Sequence, residues 1–206
     1  MRISEAFQQL SYLAADLSAI VNDHYYRWLT MWFAYGSAPG LIRYRLSRCM
    51  FLLIGETFTY VRVVMWPLFF ILRIIGPQLD ISYRADIGPG LRVLHPRFGV
   101  LVSKKAVCGR GLILTGGNWI VMKKRLGPGN LVIGDDVILY ANAIVLGPVR
   151  VDDRCVIGAG AVVMTDCPSG STMVGAPAVR LVGTDLDAAT VGPREALSAV
   201  SSSLEP

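Results

Sequence analysis

The residues that could do chemistry in this chain are few, and one histidine stands out among them. Only two histidines occur in the 206 residues, His24 and His95. Imidazole ionises near neutral pH, so a histidine can take a proton from a reacting group and return it later. A lone histidine is more often structural than catalytic, yet His95 lies where a regular sequence repeat slips. We therefore take His95 as the candidate general base and expect no chemical role for His24.

The other reactive side chains argue against metal and redox chemistry. The four cysteines, Cys49, Cys108, Cys155 and Cys167, show no CxxC spacing, which favours buried or half-buried free thiols over disulfides. A zinc site of the carbonic anhydrase type needs three histidines, so we expect no metal. The net charge of +5 suits anionic small ligands or an acidic membrane surface. Without a basic stripe interleaved with aromatic residues, it predicts no nucleic-acid partner.

A six-residue repeat is the element that must position these residues. Residues 133–168 divide into six hexads, IGDDVI, LYANAI, VLGPVR, VDDRCV, IGAGAV and VMTDCP. An aliphatic residue opens each hexad, and the fifth place is mostly small or branched. Neither the period of an α-helix nor that of a single strand produces this pattern. Hexapeptide repeats predict a β-helix, in which each repeat is a short strand plus a turn.

The repeat also runs upstream, where it is interrupted twice. Hexads begin at Ile81 and Ile87, and the phase slips by two residues around His95. The period then resumes with hexads that open on Leu101, Val107, Ile113 and Trp119. A second interruption covers residues 120–132. Inserts in a solenoid protrude as loops and usually mark the binding side, so both interruptions are candidate site regions.

The hydrophobic pattern divides the chain into three parts. Residues 1–79 are predicted to be helical, with Leu10, Leu13 and Leu17 at helical spacing and a break at GSAPG, residues 36–40. Residues 80–183 are the predicted β-helix domain, and residues 184–206 a flexible tail. The predicted fold class is mainly β: a parallel β-helix with an N-terminal α-helical region.

The second half of the helical region is very apolar, and its environment stays open. Its uncharged run, residues 63–72, is shorter than the ~20 residues of a transmembrane helix and contains Pro67. The helices could pack against the β-helix and neighbouring subunits. They could also lie on the inner membrane surface, with Arg43, Arg45 and Arg48 at lipid headgroups and Trp66, Phe69 and Phe70 inserted. The first twenty residues lack the pattern of a secretory signal, so we expect a cytoplasmic protein, with peripheral membrane contact as the open alternative.

Residues 80–183 resemble the left-handed β-helix acyltransferases, most closely the serine acetyltransferase branch. The resemblance rests on DISYRADIG followed by GLRVLHP, on IGAGAVV and on the ending VGAPAVRLV. The family's aspartate in the first coil and its histidine fifteen residues later are matched by Asp80 and His95. The resemblance implies a left-handed β-helix and a homotrimer or dimer of trimers. It also implies acetyl-CoA as co-substrate, lying between two neighbouring β-helices.

The resemblance also implies roles for individual residues. His95 would be the general base for an acceptor hydroxyl, with its imidazole oriented by Asp80. The oxyanion that forms at the thioester needs a fixed donor, and a glycine backbone can approach a ligand closely. The implied cofactor-binding residues are Gly116 and Gly117 at the acetyl end, Ala141 and Ala159 along the pantetheine arm, and Lys123, Lys124, Arg125 and Arg180 at the phosphates. A solvated loop, a turn and tight coil packing would explain these residues without a ligand.

The sequence departs from the serine acetyltransferases at the acceptor. That family usually has an aspartate just before the catalytic histidine to hold the amino group of serine, and here Leu94 takes its place. A later Arg-His pair falls on Gly129 and Asn130. We therefore predict an acetyl-CoA-dependent O-acetyltransferase that acts on a hydroxyl of a sugar or glycan, as in exopolysaccharide, capsule or lipopolysaccharide pathways. Serine O-acetylation, N-acetylation of an amino sugar and a non-catalytic β-helix scaffold are the alternatives.

Overall fold

The computed structural model describes residues 2–22, 37–64, 79–122 and 131–180. The helical part consists of α1 (Arg2–Asn22), α2 (Ser37–Ile54), a 3₁₀ turn (Gly55–Thr57) and α3 (Phe58–Val64). The strands that follow are β1 (Leu79–Ile81), β2 (Asp86–Ile87), β3 (Arg92–Val93), β4 (Val100–Val102), β5 (Val107–Cys108), β6 (Ile113–Leu114), β7 (Asn118–Met122), β8 (Leu131–Ile133), β9 (Ile138–Leu139), β10 (Ile144–Gly147), β11 (Val149–Val151), β12 (Val156–Ile157), β13 (Val162–Val163), β14 (Thr172–Val174) and β15 (Val179–Arg180).

The strands form three sheets around a common core. The first sheet has the order β1-β4-β7-β10-β13, the second β11-β8-β5-β2, and the third β15-β14-β12-β9-β6-β3. All described pairings are parallel except that of β14 with β15. Because sheet neighbours lie one coil apart in sequence, the chain winds through the three sheets in turn. This confirms the predicted parallel β-helix with N-terminal helices.

We call the edge where the chain passes from the third sheet to the first the His95 corner; it comprises residues 94–99, 115–117, 140–143 and 158–161. We call the edge between the second and third sheets the carboxylate corner; it comprises residues 88–91, 109–112, 134–137, 152–155 and 168–171.

The core is the inward column that the repeat predicts for residues 133–168. The residues that open the six hexads are at most 1% exposed: Ile133, Leu139, Val145, Val151, Ile157 and Val163. The fifth places are buried too, including Cys155 and Cys167, which fill the position taken elsewhere by Val137 or Ala143. Each buried aliphatic side chain of this size contributes about 1.5–3 kcal/mol. The inward column in this stretch is therefore confirmed.

The phase predicted for the middle hexads is wrong by one residue. The inward residues there are Val102, Cys108, Leu114 and Ile120, each at most 4% exposed. The predicted openers face outward, and Val107 and Trp119 are 39% and 51% exposed. Both members of each pair are apolar or small, so the six-residue period alone does not identify which of the two faces the core.

The slip at His95 is three residues rather than two. Leu79 pairs with Val100, 21 positions on, whereas Val100 pairs with Asn118, 18 positions on. The three added residues form the 3₁₀ turn Pro96–Phe98. The second interruption is larger, because Trp119 pairs with Ile144, 25 positions on.

The predicted break at residues 36–40 is also wrong, because α2 begins at Ser37. Pro39 falls in the first turn of α2. A proline is tolerated there, since the first backbone N–H groups of a helix have no partner within the helix.

A buried ion pair fastens both long helices to the first coil. Arg45 of α2 and Asp16 of α1 are fully buried, with Arg45 Nε 2.8 Å from Asp16 Oδ2. Arg45 also donates to the backbone oxygens of Ile87 and Gly88, both at 2.6 Å. Asp16 Oδ1 accepts the backbone N–H of Gly90 at 2.8 Å. Removal of one partner from such a pair leaves an uncompensated buried charge, which costs about 3–5 kcal/mol.

The membrane hypothesis is wrong for two of the three arginines of α2, Arg45 and Arg48. Arg45 is fully buried and Arg48 is 7% exposed, with Arg48 Nη2 2.6 Å from Asp86 Oδ1. Neither guanidinium can therefore reach lipid headgroups. Among the helices that the structure describes, none has the length and apolar character needed to cross a membrane. Trp66, Phe69 and Phe70 lie outside the described residues.

The cysteines agree with the prediction of free thiols. Cys108, Cys155 and Cys167 are buried and Cys49 is half-buried, and all four are unpaired. Burial raises the pKa of the Cys108 thiol to about 12.

Candidate functional site

His95 leaves β3 at the edge of the β-helix and turns sharply toward the first sheet. Its backbone N–H donates to the oxygen of Thr115 in the next coil at 2.8 Å. The 3₁₀ turn Pro96–Phe98 follows, and Gly99 at φ 76° reverses the chain into β4. The His95 side chain is exposed. Within the described part of the chain it contacts the ring of Phe98 but has no hydrogen-bond partner. Its ring nitrogens are therefore free to form a hydrogen bond with a ligand.

Gly116 and Gly117 lie directly beneath His95 in the next coil. A Cβ on Gly116 would come within 2.5 Å of the His95 backbone oxygen, and one on Gly117 within 2.0 Å of Asn142 Oδ1. Their backbone N–H groups donate to Asn118 Oδ1 at 2.8 Å and to the oxygen of Gly99 at 2.7 Å. Both amides therefore already have protein acceptors. In this arrangement the two glycines shape the corner, and neither amide is available for an oxyanion.

Ala141 and Ala159 continue the same corner through the third and fourth coils. The N–H of Asn142 donates to the oxygen of Gly116, and that of Gly160 to the oxygen of Ala141, each at 2.9 Å. Ala141 is half-buried and Ala159 is exposed. The structure thus brings His95, the two glycines and the two alanines into one continuous edge.

Asn118 organises this edge, and the sequence analysis missed it. Its side chain is fully buried. It accepts the Gly116 N–H and donates through Nδ2 to the Tyr140 oxygen at 2.6 Å, which joins two coils of the His95 corner. A polar residue that immediately precedes the apolar run WIVM was the available signal.

The remaining predicted residues are not joined to His95 within the described chain. Asp80 is exposed on β1 of the first sheet, and its side chain has no hydrogen-bond or ion-pair partner among the described residues. Arg180 is exposed on β15, at the far end of the third sheet. The pairing of Asp80 with His95 therefore stays a prediction.

The basic insert and the second histidine fall outside the described residues. The residues concerned are Lys123, Lys124, Arg125, Gly129 and Asn130 of the insert, together with His24. The flanking residues are Met122, at the end of β7, and Leu131, at the start of β8. These two lie where the chain passes from the first sheet to the second, which is a different edge from the His95 corner. Within the described residues, no cluster of three His, Cys, Asp or Glu side chains could hold a metal ion.

Comparison with known proteins matches the repeat and the fold. The family model for the bacterial transferase hexapeptide (six repeats) matches residues 130–164. The chain is 37% identical over 110 residues to probable serine acetyltransferase 1 of Oryza sativa subsp. japonica, covering 51% of this chain and 34% of that protein. It is 36% identical over 76 residues to a 2,3,4,5-tetrahydropyridine-2,6-dicarboxylate N-acetyltransferase of Staphylococcus aureus, covering 37% and 30%. The chain thus spans about a third of the length of these relatives.

Solved structures extend the similarity beyond the repeat. Serine acetyltransferase of Neisseria gonorrhoeae superposes with a TM-score of 0.69 at 26% identity, covering 87% of this chain and 70% of that one. The soybean serine acetyltransferase apoenzyme superposes with a TM-score of 0.68 at 27% identity, covering 84% and 69%. The chain therefore contains hexapeptide repeats and shares the left-handed β-helix fold of these serine acetyltransferases.

Proposed function

We propose that this protein is an acetyl-CoA-dependent O-acetyltransferase with His95 as its general base. The observation that carries the proposal is the exposed His95 imidazole on a corner whose backbone is fixed by the next coil. The similarity to serine acetyltransferases and to a dicarboxylate N-acetyltransferase supports acetyl transfer, and the serine acetyltransferases support an oxygen acceptor.

The reaction needs one proton carrier. His95 accepts the proton of the acceptor hydroxyl. At the same time the hydroxyl oxygen attacks the thioester carbonyl carbon, so that a C–O bond forms. The C–S bond then breaks, and the imidazolium returns the proton to the sulfur of CoA. Asp80 would hold the imidazole in one orientation, as a carboxylate does in serine hydrolases.

The cofactor would lie along the His95 corner. Ala141 and Ala159 have the smallest side chains that keep a Cβ, which leaves room for a pantetheine arm beside them. With ~4.8 Å between neighbouring strands, the third sheet extends roughly 24 Å from β3, just before His95, to β15, which carries Arg180. Arg180 would meet a phosphate at that end. The residues that flank the basic insert lie at a different edge of their own β-helix, so Lys123 and Lys124 would meet the phosphates from the neighbouring β-helix of the trimer. A serine acetyltransferase with this fold has been solved in complex with CoA.

The acceptor has two candidates. The named relatives favour L-serine. Leu94 favours a hydroxyl of a sugar or glycan, because an alkyl side chain, 39% exposed, stands where a carboxylate would hold the amino group of serine.

A trimer would complete the groove. The outward side chains of the first sheet include Leu101, Trp119 and Ile144, and those of the third sheet include Ile113 and Ile138. The outward column of the second sheet reads Asp86, Val107, Val132 and Arg150, so two valines stand between charged ends. Apolar columns on both sides of the His95 corner fit an interface between subunits. Trp119→Glu should dissociate the assembly in light scattering, while Val107→Glu on the second sheet should not.

Membrane contact is proposed only for the helices. Phe7 of α1 is 64% exposed, and Val63 and Val64 of α3 are 71% and 81% exposed. These side chains would insert into a membrane surface or pack between trimers. Flotation with anionic liposomes separates the two, because subunit contacts alone would leave the protein unbound.

The test of the proposed activity is CoA release from acetyl-CoA with L-serine and with glycosides as acceptors. We expect His95→Ala to lower kcat about 10²- to 10⁴-fold and to leave CoA binding unchanged in calorimetry. Equal kcat values for the wild type and His95→Ala would show that His95 is not the general base. Absence of CoA binding by the wild type would favour a scaffold.

A further inference from the structure

Phe98 is an exposed aromatic residue held beside the candidate base. Its ring centroid lies 6.3 Å from that of His95, at an interplanar angle of 78°, and the residue is 75% exposed. For a ring this exposed, burial within its own chain contributes little to the free energy of folding. Its position next to the imidazole therefore needs another explanation.

The turn that carries Phe98 is fixed by its backbone. The N–H of Phe98 donates to the oxygen of His95 at 3.2 Å, and that of Gly99 to the oxygen of Pro96 at 3.1 Å. The oxygen of Gly99 accepts the N–H of Gly117 in the next coil at 2.7 Å. Pro96 is buried, and its ring restricts φ. The turn is thus preorganised, which lowers the entropy cost of a contact made there.

The neighbouring side chains define the chemistry of this surface. The segment LHPRFG, residues 94–99, contains no carboxylate, and its only permanent charge is Arg97. Apart from the His95 imidazole, which takes the hydroxyl proton, this segment offers no acceptor side chain to the ammonium group of an amino acid, so that group would lose its water for no compensating bond here. A sugar ring presents a face of C–H groups that can pack on an aromatic ring, with its hydroxyls at the rim.

We propose that Phe98 is an acceptor-binding residue that packs against the C–H face of a neutral sugar ring and sets a preference for a glycoside hydroxyl over L-serine. The inference rests on the proposed acetyl transfer: a hydroxyl that gives its proton to His95 brings the rest of the acceptor against the ring of Phe98.

The experiment compares wild type with Phe98→Ala, Phe98→Tyr and Tyr60→Ala. Tyr60 is a matched control, because this aromatic residue is also 75% exposed but lies on α3. CoA release is measured with methyl β-D-glucopyranoside and with L-serine. The wild type should prefer the glycoside. Phe98→Ala should raise the KM for the glycoside about tenfold and leave the KM for acetyl-CoA within about twofold. Phe98→Tyr and Tyr60→Ala should resemble the wild type.

Four results would overturn the inference while the proposed function stands. A preference of the wild type for L-serine, or equal losses with both acceptors, would remove the acceptor role. A raised KM for acetyl-CoA would assign the ring to the pantetheine arm. Dissociation of Phe98→Ala in light scattering would assign it to a subunit contact. If the wild type acetylates neither probe, the inference also fails, and CoA binding by calorimetry then decides the proposed function separately.

Discussion

The His95 corner and the carboxylate corner belong to the same coils but use their polar side chains differently. At the carboxylate corner, Asp135 accepts the backbone N–H of Arg110 at 2.9 Å and its Nε at 3.0 Å. Asp153 in turn accepts the N–H of Asp135 at 2.8 Å. Each of these carboxylates bonds to the preceding coil. At the His95 corner the buried Asn118 likewise bonds one coil to the next, through the Gly116 N–H and the Tyr140 backbone oxygen. The imidazole of His95 is exposed instead.

The difference separates structural from chemical use of polar groups. Carboxylates that accept backbone N–H groups from a neighbouring coil stabilise the stack and have little capacity left for a ligand. An exposed imidazole on a rigid edge contributes little to the stack and can bind a ligand without rearrangement. Variants at the two corners should therefore separate activity from stability.

After His95→Ala, the largest effect is expected for Gly116→Ala. The new Cβ would lie 2.5 Å from the His95 oxygen, at a φ of 137°, so His95 must move. Displacement by about 1 Å lowers activity roughly 100-fold, and the strained backbone costs about 1–3 kcal/mol. Steady-state kinetics and urea unfolding measure the two effects.

Gly170→Ala is the matched control at the carboxylate corner. Its φ is 68°, and nothing lies within 4 Å of the added Cβ. It should cost about 1–2 kcal/mol for the left-handed backbone and leave kcat/KM unchanged. Equal activity losses in both variants would break the distinction between the corners.

A smaller effect, on stability alone, is expected for Asp135→Ala. Loss of its hydrogen bonds to Arg110 should lower the free energy of unfolding by about 1–3 kcal/mol. Asp135→Asn keeps an acceptor for the Arg110 N–H and should lose less. Urea unfolding measures both. A fall in kcat/KM for correctly folded Asp135→Ala would show that the carboxylate corner also serves the chemistry.

The smallest effect concerns the thiols inside the coils. Burial raises the pKa values of Cys108 and Cys167 to about 12, so both stay protonated and unreactive at pH 8. A thiol reagent should then label native protein at the half-buried Cys49 first, and Cys49→Ser should remove that phase. Labelling of Cys108 in the native state would show that the coils open more readily than their packing implies.

Much of the fold could be predicted because the repeat is regular. In residues 133–168 an aliphatic residue occurs at every sixth position, and burial of that column fixes which side faces inward. In the middle hexads, two adjacent apolar residues could each have faced the core, so the phase stayed open. In the structure the cross-strand register turns Cys108 toward the core and Val107 outward. The buried pair of Asp16 and Arg45 left no local pattern, since its members are joined by packing of α1 and α2 on the first coil.

The repeat, the interruption at His95 and the types of residue available for chemistry can all be read from the amino-acid sequence, because they depend on local spacing. That His95, Gly116, Ala141 and Ala159 share one edge, and that the glycine amides are already bonded, is known from the three-dimensional structure alone. It also placed the ring of Phe98 beside the imidazole. These relations depend on how many residues each coil contains, because one added turn of three residues changes which residues of neighbouring coils lie above one another.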